Sequence, residues 1–231
     1  MTVVTQLEST YEYIRDKLTG AAVAPGTKLS RRRLAEEIGV SPALVQQALG
    51  QLESEGLVER RPQSGTYVRE LSADEYANLC DVRELIEPYA AGRAATRLTA
   101  KQLSQLERIC ERFRELAEKV THIETVEGRH RFMPRLVREE QDFHGIILAA
   151  AANPLVMNLT STLRLLAQVR SNVEAGAIQR QVMIAGEHES ILEALQGRRA
   201  ELASERMLLH IRGSRRPLAG DEDAPPERGR S

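Results

Sequence analysis

Three of the five histidines in this chain stand where a helix would otherwise place apolar residues. His144 shares a helical face with Ile147, Leu148 and Ala151, His188 with Ile184, Ile191, Leu192 and Leu195, and His210 with Ala203 and Met207. An imidazole on such a stripe is either a satisfied core group or a ligand. Glu140 lies four residues before His144, so both project from one helix face and can chelate one ion. His188 and His210 sit on predicted helices that reverse at Gly197, about 13 and 20 Å from the turn at 1.5 Å per residue. A mismatch of one turn still lets the two side chains converge. Three imidazoles and one carboxylate suit a divalent first-row metal such as zinc, nickel or manganese, with positions left for water or a bidentate organic acid. Asp142 is the other carboxylate nearby, but two residues from His144 it points roughly to the opposite side of the helix, which favours Glu140. The alternatives are a structural metal, or no metal and histidines that fill the core.

A second chemistry lies in the arginines. Lys28, Arg31, Arg32 and Arg33 fall within six residues that hold no acid, and Arg60, Arg61 and Arg69 follow. The net charge is only −1, and the first 70 residues carry as many acids as bases. Phosphate attraction depends on local clusters, because screening removes most influence beyond about 10 Å. A solvated helix start is the plainer reading of Arg31, Arg32 and Arg33. Three arginines against the positive end of a helix dipole are nevertheless unfavourable unless something anionic sits opposite.

The elements that would position these groups are legible. Residues 5–19 read as a helix with Leu7, Tyr11, Ile14 and Leu18 on one face. After the Ala24-Pro25-Gly26 turn, Ser30 caps a helix bearing Leu34, Ala35 and Ile38, and Gly39 permits reversal. Ser41 caps another, with Pro42 in its first turn and Leu44, Val45, Ala48, Leu49 and Leu52 buried. Gly56 ends it, and residues 57–60 and 65–69 read as strands around a Pro-Gln-Ser-Gly turn. A helix-turn-helix followed by a basic hairpin is a winged helix, which sets one helix in the DNA major groove. Its candidate contacts are Arg31, Arg32 and Arg33 from the first helix of the pair. Ser41, Ala43, Gln46 and Gln47 come from the second, and Arg60, Ser64, Gly65 and Thr66 from the wing.

From Ser72 the pattern is helical throughout, so the fold class is mainly α. The N-terminal winged helix-turn-helix (1–70) precedes an all-α bundle (71–212) and a disordered tail (213–231). One stripe runs through Leu79, Val82, Leu85, Ile86, Ala90 and Ala94, and another through Leu103, Leu106, Ile109, Cys110, Phe113, Leu116 and Val120. Residues 121–138, interrupted by Gly128 and Pro134, read as a loop or weak helix. Further helices are expected over 143–151, 155–173, 184–195 and 200–211. Cys80 and Cys110 lack metal-type spacing and read as reduced, buried thiols. No apolar run reaches membrane-span length and the N-terminus lacks a secretory signal, which places the protein in the cytoplasm without a membrane partner.

Several motifs together resemble the GntR family of bacterial transcription regulators, in the subfamily with an all-helical FCD ligand-binding domain. Pro25-Gly26-x-x-Leu29-Ser30 and Leu34-Ala35-x-x-Ile38-Gly39-Val40-Ser41 resemble that family's entry into its helix-turn-helix. Leu52-Glu53-x-Glu55-Gly56-Leu57-Val58 and Gly65-Thr66-Tyr67-Val68 resemble its wing. Val82-Arg83-x-Leu85-Ile86-Glu87-Pro88, Phe143-His144, Asn153-Pro154, Glu187-His188 and His210 resemble its second domain, over about residues 5–212 in all. The resemblance implies a homodimer, a near-palindromic double-stranded operator and a small carboxylate effector bound near a metal.

Two departures stand out. The family's recognition helix usually begins Ser-Arg-Thr-Pro-Val-Arg-Glu-Ala-Leu, whereas this chain has Ser41-Pro42-Ala43-Leu44-Val45-Gln46-Gln47-Ala48-Leu49. Both arginines are absent, and Gln46 and Gln47 could pair with adenine edges instead. Glu140 stands where the family carries Asp or Asn. Arg83 and Glu87, one turn apart, form either an intrahelical ion pair or, with Arg83 facing the cavity, an anchor for an effector carboxylate. The expected function is a ligand-responsive repressor in which a hinge near residues 69–74 repositions the DNA-binding units. The rival is a metal-dependent hydrolase, weakened by the lack of a further general base.

Overall fold

The computed structural model describes residues 5–19, 23–171 and 178–214. The expected disordered tail lies outside the described residues beyond Ser214, as do the last two positions of the helix expected over 155–173.

The N-terminal unit forms from local signals. Helix α1 (Gln6–Thr19) packs on α3 (Pro42–Ser54), with α2 (Arg31–Ile38) alongside. Ser30 Oγ accepts from Arg33 N at 3.3 Å and Ser41 Oγ from Leu44 N at 3.2 Å, so both helix starts are capped as read. Gly39 closes α2 at φ 79°, a value its missing Cβ allows. Strand β1 (Lys28–Leu29), which the sequence reading did not anticipate, joins the wing strands β2 (Val58–Arg61) and β3 (Gly65–Val68) in an antiparallel sheet ordered β1-β3-β2. Ile14, Leu18, Val45, Leu49, Leu52, Leu57 and Val68 close the core. A leucine such as Leu52, fully buried, would cost about 2–5 kcal/mol if cut to alanine.

The bundle comprises α4 (Ala73–Ala95), α5 (Ala100–Thr121), α6 (Val126–His130), α7 (Met133–Ala150), α8 (Pro154–Ser171), α9 (Ile178–Gln196) and α10 (Ala200–Gly213). Ser72 with Glu75, and Thr99 with Gln102, form reciprocal capping boxes at the starts of α4 and α5. With aromatics at 3% of the chain, small residues close much of the interior. Ala91, Ala94 and Ala95 of α4 share a core with Ala203, Met207 and Ile211 of α10. A Cβ on Gly92 would stand 3.2 Å from Ala200 O, which shows how closely these helices approach. Cys80 and Cys110 are buried and outside any disulfide, and burial pushes the Cys110 thiol up to about 12. Among the described residues no helix is long and apolar enough to cross a membrane.

Two expectations need correction. Residues 121–138 are not a loop or weak helix throughout: α6 fills 126–130, and α7 begins at Met133, ten residues before the expected start. Pro134 lies in the first turn of α7, where no intrahelical N–H bond is due, so it begins the helix rather than breaking it. The buried stripe of α4 also differs. Val82 and Leu85 are 41% and 78% exposed, while Arg83 and Glu87 are buried at 4% and 1%. Charge turns inward because each of these two side chains finds an opposite partner inside.

The two units touch through α8 and the short linker. Leu71 is buried with Tyr76, Leu79, Cys80 and Ala167, and Leu165 and Leu166 of α8 pack against the winged-helix core. The linker at 69–72 is thereby anchored on both sides.

Candidate metal centre and nucleic-acid face

Three helices bring the metal candidates together: α7 supplies Glu140 and His144, α9 supplies His188, and α10 supplies His210. One ligand atom from each lies within 4.8 Å of all the others. His188 Nε2 is 2.9 Å from Glu140 Oε2, and His144 Nε2 and His210 Nε2 are 3.3 and 3.6 Å from Oε1. The Nε2 atoms of His144 and His210 are 3.1 Å apart. Atoms roughly 2.1 Å from a shared ion stand roughly 3.0–3.4 Å apart at octahedral or tetrahedral angles, so these spacings fit a single small cation. The histidines are buried, and the Glu140 side chain as a whole is 20% exposed although its Oε2 is buried.

The surroundings orient each ring. Glu187 Oε2 accepts from His210 Nδ1 at 2.8 Å, and Arg180 holds Glu187 through Nη1 at 2.9 Å. Glu87 Oε2 lies 3.0 Å from His144 Nδ1, short of full hydrogen-bond alignment. Carboxylates behind imidazoles direct Nε2 inward and raise its basicity. Among the described residues no carboxylate stands behind His188. Phe143 stacks on its ring at 4.1 Å and Phe113 meets it edge-on at 5.1 Å. Neither ring nitrogen of His188 makes a hydrogen bond, nor does Glu140 Oε2, although these atoms are buried. Unsatisfied buried donors and acceptors are costly, and a cation would satisfy His188 Nε2 and Glu140 Oε2 together.

Electrostatics divide the three histidines. Burial pushes His188 down to about 4, against the pull of Glu140. His144 is lowered by burial and by Arg164. Burial opposes the charged form of His210 too, but Glu140 and Glu187 outweigh it and raise its pKa. The Glu140 carboxyl, despite burial, is held well below the usual carboxylate range, with His188 the largest opposing cause.

Beside the cluster is a network that sequence reading saw only in part. Glu87 Oε1 accepts from Arg83 Nε at 2.7 Å, and Glu87 Oε2 accepts from Arg164 Nη1 at 3.0 Å. Arg164 Nη2 also reaches the Glu140 carbonyl oxygen at 3.3 Å. The ion-pair reading of Arg83 and Glu87 therefore holds, and the pair lies inside the bundle. Arg164 was missed, although a lone arginine among Leu163, Leu165 and Leu166 was the signal for it. Glu187 was noticed only as the neighbour of His188. Asp142 is exposed on the outer side of α7.

The candidate DNA contacts gather on another face. Arg31, Arg32, Gln46, Arg60, Ser64 and Gly65 help line a groove of about 1190 Å³ between α3 and the wing. Thr66 lines the same groove although it is buried at 8%, and Arg33, Ser41, Ala43 and Gln47 are exposed. Arg32 pairs with Glu36 at 3.2 Å and Arg60 with Glu53 at 3.0 Å. Arg61 lies over the Tyr67 ring at 4.3 Å.

The sequence model described as bacterial regulatory proteins, gntR family, matches residues 6–68, and that of the FCD domain matches residues 78–213. The HTH-type transcriptional repressor RspR of Escherichia coli (strain K12) is 26% identical over 218 residues, covering 91% of each chain. The HTH-type transcriptional regulator LutR of Bacillus subtilis (strain 168) is 29% identical over 218 residues, covering 85% of this chain and 93% of that one. Among solved structures, E. coli McbR/YncC superposes with a TM-score of 0.79 at 19% identity, over 91% of this chain and 95% of the other, a likeness of fold.

Proposed function

This chain is a transcriptional regulator of the gntR family of bacterial regulatory proteins, carrying an FCD domain, and we propose that it is a metal-dependent sensor of a small organic acid that reads a two-fold operator as a homodimer. In this reading residues 1–70 bind DNA, residues 71–212 bind the effector, and effector binding weakens the DNA complex. The observation that carries it is the convergence of Glu140, His144, His188 and His210 within 4.8 Å inside the bundle. A resident divalent ion there would supply open coordination positions for a carboxylate. The basic Arg164 lies 3.9 Å from Glu140 Oε1, at the edge of the same site. Coupling to the winged helix is supported by α8, which carries Arg164 next to the Leu165 and Leu166 that pack on the winged-helix core. An effector acts on DNA binding only if it prefers one arrangement of the two units.

The test uses full-length protein on DNA fragments enriched from a random duplex library. Mono- and dicarboxylates are added to metal-loaded and to chelator-stripped protein. At least one carboxylate should release DNA from the loaded protein only. Equal release from stripped protein would leave the regulator but remove its metal.

An exposed apolar face supports the homodimer reading. Val82, Leu85 and Tyr89 recur on one face of α4, and Leu155 and Leu159 on one face of α8, all 41–78% exposed on helices that pack together. Apolar side chains so grouped mark an interaction surface. Leu85→Asp with Leu159→Asp is expected to yield monomers by sedimentation and to weaken operator binding at least about tenfold, since two half-sites no longer act together. A double variant that stays dimeric would place the interface elsewhere.

A further inference from the structure

Gln46 is placed to read a base, because residues near the start of a recognition helix meet base edges. Read from sequence, it matches adenine, which a glutamine contacts by accepting from N6–H with Oε1 and donating to N7 with Nε2. The structure changes that assignment. Arg31 Nη1, reaching from the first turn of α2, donates to Gln46 Oε1 at 2.7 Å. The other groove arginines are neutralised by acids: Arg32 by Glu36, Arg60 by Glu53 and Arg61 by Glu59. Among the described residues Arg31 pairs with no carboxylate, so its charge is spent on fixing this amide.

The consequence is a surface of one hydrogen-bonding sign. With Oε1 engaged, Gln46 presents its Nε2–H donors, and Arg31 adds its remaining guanidinium N–H donors beside them. Oε1 keeps a second lone pair, but an adenine amino group approaching it would also meet the guanidinium, donor against donor. Guanine offers the opposite pattern, with two adjacent acceptors, N7 and O6, on its major-groove edge. We propose that Arg31 and Gln46 form one composite reader that selects guanine, with Arg31 setting the amide orientation that makes Gln46 a donor. This rests on the reading of the N-terminal unit as the operator-binding module.

The test is selection of a randomised double-stranded DNA library by full-length wild type, Arg31→Ala and Gln46→Ala, followed by sequencing and competition binding. Circular dichroism of each variant checks folding, which an exposed residue such as Arg31 should not disturb. The wild-type consensus should hold guanine at one position per half-site, favoured roughly five- to a hundredfold over adenine. Gln46→Ala should flatten that position. Arg31→Ala should move it from guanine to adenine, because the freed Oε1 can then accept from N6–H. If Arg31→Ala lowers affinity uniformly and keeps guanine, Arg31 is only a phosphate contact and the composite reader is refuted. Adenine at the Gln46-dependent position of the wild type would refute it too. Failure of all three proteins to enrich any sequence would instead sink the operator-binding reading, and the reader with it.

Discussion

Protein carrying His188→Ala and His210→Ala is expected to purify without stoichiometric metal, whereas the unmodified chain is expected to hold about one divalent ion. Elemental analysis of untagged protein checks this directly. The size of the effect follows from geometry. Four ligand atoms within 4.8 Å would chelate one ion, and losing two of them removes half the donor set. Alanine at 188 also opens space beside Phe143 and Phe113, so the double variant will lose stability for packing reasons as well. Glu140→Gln separates the two effects, because it keeps shape and removes charge. It should weaken metal binding while leaving the helical signal in place. Wild-type protein that stays metal-free after reconstitution with zinc, nickel and manganese would reduce the cluster to a polar core. Full metal content in the double variant would mean that the ion binds elsewhere.

What could be read from the residues divides along a physical line. Local signals gave the winged helix almost intact, since caps at Ser30 and Ser41, the reversal at Gly39 and the hairpin turn act over a few residues. They also gave the three cluster helices and their histidines, because histidine on an apolar stripe is itself anomalous. The outward face of α4 was misread for the complementary reason. Val82 and Leu85 follow helical periodicity, but the inward positions belong to Arg83 and Glu87, whose partner Arg164 is 77 residues beyond Glu87. No periodicity reports a contact of that range. Pro134 misled likewise, since proline breaks a helix interior and favours a helix start. Only the position of the first turn separates the two cases.

That same long-range network is where the second large effect should appear. Glu87 is 1% exposed, and it is the carboxylate within 3.0 Å of both Arg83 and Arg164, themselves 4% and 7% exposed. Burial alone would raise its pKa, yet Arg83 and Arg164 hold it well below the usual carboxylate range. Glu87→Gln leaves two buried guanidinium groups without that counter-charge. Breaking a buried pair from one side costs about 3–5 kcal/mol, which for a chain of this length lowers Tm by on the order of 10 °C. Arg83→Met alone should also destabilise, but the double variant should cost less than the two singles combined, by at least about 1 kcal/mol, because the second change removes a charge the first left stranded. Strict additivity by chemical denaturation would show that solvent or relaxation already compensates these groups. The variant has a second readout, because Glu87 also stands 3.0 Å from His144 Nδ1. Loss of such a carboxylate behind a metal-binding histidine lowers metal affinity about 10- to 100-fold. Lower stability together with weaker metal binding would make Glu87 the joint between the buried ion network and the candidate metal centre, whereas lower stability with unchanged metal affinity would confine it to the fold.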